Sequence, residues 1–277
     1  MGLFVKVKAF FRSIFTSARL ACIADDQLGK NASPAEVEVV ISLTSIPSRL
    51  ASLHLTIKSL LNQSISFEKV VLWLHQDLKT NLPPALDKLQ GKRFEIHYCA
   101  TTEPHRKLVE TLKLHPDRII VTCDDDYMYP KDWLLRLLVS WQQTPNEIVA
   151  HRCREIRMEN GEIQPYRKWR GEPEGASSPL TVALGWGGIV FPPGSLDTRV
   201  LDRDAYIRLS PRADDLWYKA MATLKGTAMR KTRDPYPAPI PIIGSQSISL
   251  NKKNIGDDLN RVQLLALAKE YNLRFEE

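Results

Sequence analysis

Apolar and polar positions fall into blocks along this chain, and the period of each block names an element. Val37 to Leu43 is a short apolar run of strand character, and Leu50 to Leu61 repeats its apolar positions at helical spacing until Asn62-Gln63-Ser64 ends it. Val70 to Leu74 and Phe94 to Tyr98 read as two more strands, with a short helix between them marked by Pro83-Pro84, Leu86 and Leu89. A helix over Leu108 to Leu114 and a strand over Ile119 to Cys123 follow. Strand and helix thus alternate from residue 37 to residue 123. That alternation predicts an α/β fold with a mostly parallel sheet flanked by helices. Pro130 to Ser140 predicts another helix and Ile148 to Arg152 another strand.

The second half is less regular. Tyr166, Trp169 and Arg170 stand in a loop whose Gly171, Pro173 and Gly175 break any period. Gly185-Trp186-Gly187-Gly188 leads into a strand over Ile189 to Pro193, and its glycines allow close approach of the backbone to a ligand. A helix is predicted from Asp214 to Leu224, a basic and proline-rich loop from Arg230 to Pro241, and an amphipathic helix from Asn260 to Tyr271. No internal repeat or low-complexity tract is evident.

The opening segment is different again. On a helical wheel Phe4, Val7, Phe11, Ile14, Phe15 and Ala18 fall on one side, with Lys8, Arg12 and Arg19 along the flank. Such a helix either lies on an anionic membrane surface or packs on the domain, and the membrane surface is the expectation. Its basic interruptions exclude a membrane span and a signal-peptide core, and Lys6 stands where a myristoylation signal wants Ser or Thr. The chain therefore divides into an amphipathic helix (1–24), a polar linker (25–36), a main domain (37–250) and a helical tail (251–277).

Length and composition narrow the classes. A chain of 277 residues with 43% hydrophobic and 25% charged residues buries a substantial core and is neither disordered nor a polytopic membrane protein. A net charge of +6 and a pI near 9.1 favour anionic partners. Cys22, Cys99, Cys123 and Cys153 lack paired CxxC spacing, which argues against a zinc site and fits a reducing compartment. Cys123 and Cys153 are expected as buried thiols in strands.

The chemistry concentrates where the apolar run Ile119 to Cys123 stops at Asp124-Asp125-Asp126. A buried strand in an α/β protein delivers its last residues to the rim where ligands bind. Three adjacent carboxylates there raise one another's pKa, and a divalent cation with oxygen ligands, Mg²⁺ or Mn²⁺, relieves them. A solvated acidic turn or a helix cap is the plainer reading of such a triplet. Asp214-Asp215 is a second acidic pair, at a helix opening, and capping explains one carboxylate of the two more readily than both. Arg106 and Lys107 open a helix able to hold a phosphate, or form a solvated basic face. Tyr166 and Trp169 are candidate sugar platforms or core plugs.

Taken in order, these features resemble the nucleotide-sugar glycosyltransferases of the GT-A fold, most closely the bacterial family 2-like enzymes. The resemblance spans roughly residues 37 to 250 and rests on the hydroxyl and Pro47-Ser48-Arg49 corner, Asp124-Asp125-Asp126 as a DxD motif, the Gly185 to Gly188 loop, and Asp214-Asp215. It implies a Rossmann-like sheet with a less regular, acceptor-binding second half. It also implies metal-dependent, inverting transfer of a hexosyl or related sugar to a hydroxyl of a glycan or glycolipid, in cell-surface polysaccharide or lipopolysaccharide synthesis. By that likeness Asp126, helped by Asp124, holds Mn²⁺ or Mg²⁺, while Asp125 reaches the ribose or donor sugar. Thr44, Ser45 and Arg49 meet the nucleotide, and Lys107 assists at the phosphates or sugar. Asp215, in preference to Asp214, is the base, and Tyr166, Trp169, Trp186 and Gly187 face the acceptor. The expected location is cytoplasmic, peripheral on the inner face of a membrane, with no nucleic-acid partner.

Three rival readings share some of these features. A sugar-nucleotide nucleotidyltransferase would carry a Gly-rich signature near the first strand, which is missing here. A metal-dependent nuclease would place a dense Lys and Arg cluster around its carboxylates. A non-catalytic carbohydrate-binding protein with a GT-A-like fold has no need of a base.

Overall fold

The computed structural model describes residues 3–245 and 257–275. Helix α1 (Leu3–Cys22) precedes an alternating run of β1 (Val39–Thr44), α2 (Leu50–Leu61), β2 (Lys69–His75), α3 (Pro84–Asp87), β3 (Phe94–Cys99), α4 (Arg106–Leu114) and β4 (Ile119–Thr122). Next come β5 (Tyr127–Met128), α5 (Trp133–Gln142), β6 (Ile148–Ala150), β7 (Cys153–Glu155), β8 (Met158–Glu159), β9 (Glu162–Ile163) and β10 (Arg170–Gly171). The chain continues through β11 (Thr181–Ala183), β12 (Ile189–Phe191), α6 (Arg203–Leu209), α7 (Asp214–Lys225), β13 (Met229–Lys231), β14 (Ile240–Pro241) and α8 (Leu259–Tyr271).

Seven strands form the central sheet in the order β13-β6-β12-β4-β1-β2-β3. β3, β2, β1 and β4 run parallel, and β12 enters antiparallel between β4 and β6. Alternate residues of each strand face opposite helical layers. Val39, Ile41 and Val121 pack with Leu53, Ile57 and Leu60 of α2 and with Leu134 and Leu137 of α5. Ile120, Ile189 and Phe191 pack with Leu108 of α4 and with Leu216, Trp217 and Met221 of α7. Burial on both faces explains why these strands are nearly continuous apolar runs.

The fold departs from the sequence pattern at three places. The segment expected as a basic loop from Arg230 contributes β13, parallel to β6 at the sheet edge, and its far end, β14, pairs with β5. Its charges are absorbed locally, because Arg230 pairs with Glu147 and Lys231 donates to the Glu172 carbonyl. The strand expected to Arg152 ends at Ala150, and the chain passes into β7 of a second sheet, ordered β10-β7-β11. α8 is not cleanly amphipathic: it buries Asn260 and Gln263 beside Leu264 and Leu267 while Val262 and Leu265 are exposed. The expected boundary at residue 250 lies outside the described residues. Cys123 and Cys153 are buried, and all four cysteines are free. No described helix is long and apolar enough to cross a membrane.

Candidate active site

The C-terminal ends of the parallel strands open into a cleft of about 700 Å³. Thr44, Ser45, Arg49, Arg106, Lys107 and Asp124 to Asp126 line one side, and Arg154, Tyr166, Trp186, Arg212, Asp214 and Asp215 line the other. Sheet topology brings these distant residues together. β1 and β4 are neighbours in register, so the turn after Thr44 and the acidic run after Thr122 leave the sheet side by side.

The turn after β1 is tightened by Pro47, and Arg49 at its end swings back over the carboxylates. Arg49 pairs with Asp125 and, at 2.9 Å, with Asp126. Asp125 also accepts the Ser45 hydroxyl, and its carbonyl accepts the Thr56 hydroxyl. Burial, followed by the neighbouring Asp124, pushes the Asp126 carboxyl up to about 7 despite Arg49. Asp124 points further into the cleft, with its side chain 34% exposed. Its backbone is clamped by Tyr129, whose hydroxyl accepts from the Asp124 N–H at 2.9 Å and donates to the Asp124 carbonyl at 3.1 Å.

Across the cleft, Asp214 and Asp215 open α7, but neither caps it. The N-cap is Ala213, without a side-chain hydrogen bond, so the capping explanation for the pair fails. Asp214 is buried and meets the Lys107 ammonium at 2.9 Å. Asp215 accepts the Gly185 N–H at 3.1 Å. Burial opposes both charges, yet Lys107 and His105 bring Asp214 below the usual carboxylate range. Burial and then the Asp214 charge hold Asp215 well above it. Adjacent carboxylates are thereby split into one fixed anion and one proton acceptor.

Lys107 joins the two acidic groups, lying 2.8 Å from Asp124 and 2.9 Å from Asp214. Burial alone would strip its proton, but Asp124 and Asp214 hold it charged well above its ordinary range. Gly185 packs directly on this junction: a Cβ there would lie 3.0 Å from Lys107 Nζ, 3.2 Å from Asp215 Oδ1 and 3.3 Å from Asp124 Oδ1. The two other glycines of this loop make room for protein rather than ligand. A Cβ on Gly187 would meet Arg152, and one on Gly188, at φ +99°, would meet the Trp133 ring.

The aromatic candidates separate. Trp186 lines the cleft beside Tyr127, their rings 5.8 Å apart. Tyr166 also lines it, beneath the Arg154 guanidinium at 4.8 Å. Both Tyr166 and Trp169 are buried, as core plugs are and unlike exposed sugar platforms. Trp169 belongs to the core and donates its indole N–H to the Gln164 carbonyl, and neither it nor Gly187 lines the cleft.

Arg106, expected as a phosphate holder or a solvated charge, is a buried brace. Its guanidinium donates to the carbonyls of Ser45 and Thr101 and to the Thr44 hydroxyl, fixing the turn after β1. Arg154 and Arg212 line the cleft, and Tyr129 supports Asp124 from behind it; none of the three is singled out by the sequence pattern. Arg212 stood two residues before the acidic pair and was legible as a cation beside it.

No three His, Cys, Asp or Glu side chains converge on one point among the described residues. Asp124 and Asp126 line the cleft and offer carboxylate oxygens only. This set fits Mg²⁺ or Mn²⁺, which commonly bind through one or two carboxylates together with substrate phosphates.

Comparison with known proteins agrees with this architecture. Residues 48–206 match the family model for glycosyl transferase family 2, a span that includes Arg49, Lys107 and the three aspartates but ends before Asp214. Comparison with curated protein sequences gives no match. Among solved structures, S. aureus TarS (residues 1–349) is similar with a TM-score of 0.50 and 15% identity, over 81% of this chain and 71% of that one. The 4-diphosphocytidyl-2C-methyl-D-erythritol synthase of Anaerococcus prevotii DSM 20548 gives a TM-score of 0.47 and 13% identity, over 78% and 96% of the two chains. The likeness to TarS is one of fold, and with the family match it makes the sheet that of a GT-A protein.

Proposed function

The chain belongs to glycosyl transferase family 2, and on that premise we propose that it is a metal-dependent, inverting glycosyltransferase acting on a hydroxyl of a glycan or glycolipid. The observation that carries the reading is the pair of acidic groups facing one cleft and joined through Lys107. A nucleoside-diphosphate sugar would lie along the Thr44, Ser45 and Arg49 side, and the acceptor would enter between Tyr166, Trp186 and Arg212.

Asp215 is the general base. It lies at the cleft surface, has no cation of its own, and burial beside Asp214 makes it the more basic of the two. It takes the proton of the acceptor hydroxyl as that oxygen bonds to the anomeric carbon. The bond from that carbon to the diphosphate oxygen breaks on the opposite face, which inverts the configuration. Asp214 stays ionised on Lys107, and Lys107 contributes positive charge near the departing diphosphate. Asp124 and Asp126 would hold the divalent cation, which when bound supplies Lewis-acid stabilisation of the leaving group. Asp125, fixed by Arg49 and Ser45, is positioned for a donor hydroxyl. The cellular role that follows is synthesis of cell-surface polysaccharide or lipopolysaccharide.

Isothermal titration with a panel of nucleoside diphosphates, with and without Mn²⁺, tests the donor half. Metal-enhanced binding of one of them is expected. Binding of none, or of free sugar alone, overturns the assignment.

A further inference from the structure

We propose that α1 docks the protein on an anionic membrane surface through a helix face that the fold leaves uncovered. This surface is separate from the cleft, and the inference stands whatever the cleft transfers.

α1 is anchored to the domain by its small, polar side. Ser13 and Thr16 are buried with Leu20, the Ser13 hydroxyl donates to the Pro241 carbonyl at 2.7 Å, and the Ser17 hydroxyl lies 3.5 Å from the Met128 sulfur. Leu20 packs with Leu55, Met128, Ile240 and Ile242. The large apolar side chains turn the other way. Val7 is 43% exposed, Phe10 49%, Phe11 64%, Ile14 44% and Phe15 72%. These positions recur at helical spacing, so they form one stripe.

A soluble fold gains by burying phenylalanines, and here the packing choice is reversed. The domain takes Ser13 and Thr16, and Phe10, Phe11 and Phe15 stay in water. An exposed stripe of this kind marks an interaction site. Charge selects the occupant. The helix carries Lys6, Lys8, Arg12 and Arg19 and no acidic residue. Aromatic and aliphatic side chains beside a basic flank match the acyl and headgroup layers of an anionic bilayer, where each nearby cation adds about fivefold in affinity. No second apolar span is required, because the helix lies in the interface instead of crossing it.

The anchor also ties this face to the donor side of the cleft. β14 pairs with β5, and the Asp126 carbonyl accepts the Ile242 N–H at 2.9 Å. α1 therefore rests on the ribbon that follows the acidic run, and a docked helix holds that ribbon at the bilayer.

The test is co-sedimentation of the full chain with phosphatidylglycerol–phosphatidylcholine vesicles and with phosphatidylcholine vesicles alone. Binding to the first, weaker binding to the second, and release by salt are expected. Phe11→Ser with Phe15→Ser removes two exposed side chains that belong to no core cluster, and should abolish sedimentation while leaving circular dichroism unchanged. Lys8→Glu with Arg12→Glu should weaken binding to the anionic vesicles by roughly 25-fold or more. Wild-type protein that stays in the supernatant with both vesicles overturns the proposal, as do variants that sediment like wild type. A wild-type dimer that the phenylalanine variant returns to monomer, without vesicle binding, would assign the face to a second copy of the chain instead.

Discussion

The two acidic groups that face each other across the cleft are built on the same theme and differ in one respect. Each consists of adjacent aspartates with a cation, half-buried Arg49 for Asp125 and Asp126 and buried Lys107 for Asp214. In the first group the cation grips both of the more deeply buried carboxylates, and Asp124 reaches toward the cleft. In the second it grips one, and Asp215 is left with a backbone N–H. An anion that must bind a cation tolerates a cationic neighbour which can be exchanged or shared. A base must not have one, because a fixed cation would lower its proton affinity. The distribution of two cations over five carboxylates thus separates donor activation from acceptor deprotonation.

The largest effect should come from Asp215→Asn, which removes the proton acceptor but keeps its shape and its acceptance of the Gly185 N–H. Turnover is expected to fall by roughly 10²- to 10⁴-fold with nucleotide affinity intact. Asp126→Asn should do the reverse, abolishing the metal-dependent part of nucleotide binding in calorimetry. Full activity in both variants would erase the distinction between the two groups. The wild-type rate should also fall as the pH drops through the Asp215 pKa, because the base works only when ionised, and that limb should lie at higher pH than for an ordinary carboxylate.

Lys107→Met attacks the joint itself. It leaves Asp214 buried without its cation, for which about 3–5 kcal/mol of stability is expected to be lost in denaturant titration. The deficit should shrink when Asp214→Asn is added, because the second change removes the stranded charge. A double variant no more stable than the single one would mean that Lys107 acts mainly through Asp124. Arg49→Lys is milder: the guanidinium holds Asp125 and Asp126 through separate nitrogens of one rigid fork, which a single ammonium does not reproduce, and roughly tenfold weaker nucleotide binding is expected by calorimetry, with turnover at saturation retained.

Some of this was legible in the sequence, and the physical reason differs from element to element. β1 to β4 could be read because strands buried on both faces must be apolar throughout. The acidic triplet stood out because three charges directly follow a buried strand, where a solvated turn or a helix cap accounts for them less well than a ligand site. β13 was hidden, since Arg230 and Lys231 look solvated until Glu147 and Glu174 arrive from other elements to pair with them. Tyr166 and Trp169 could be read only as platforms or plugs for a similar reason: turn residues around them suggested exposure, while the Arg154 guanidinium over the Tyr166 ring and the Gln164 carbonyl that accepts the Trp169 indole N–H are supplied by the fold. Arg106 and Tyr129 carry no local signal at all. The partners of Arg106 are the Ser45 and Thr101 carbonyls and the Thr44 hydroxyl, that of Tyr129 is the Asp124 backbone, and only the folded chain brings them together.

The smallest expected effect concerns the support behind the second acidic group. His105 is fully buried at the start of α4, its ring stacked on Tyr206 at 4.3 Å, and neither ring nitrogen has a hydrogen-bond partner. Burial lowers its pKa to about 4, with Lys107 also opposing the charge and Asp214 favouring it. The unfolded chain therefore takes up a proton near pH 6.5 that the folded chain refuses until about pH 4. Stability from this group is complete above the upper value and is lost as the pH falls between the two. His105→Phe preserves the stack and removes the titration, so the wild type should lose roughly 1 kcal/mol relative to the variant between about pH 7 and pH 5.5. Denaturation midpoints of the two proteins across that interval measure it. A wild type that instead gains on the variant as the pH falls would mean that the imidazole is protonated in the fold, with Asp214 as its counter-ion. The second acidic group would then hold two cations, and the asymmetry with the first would have to be redrawn.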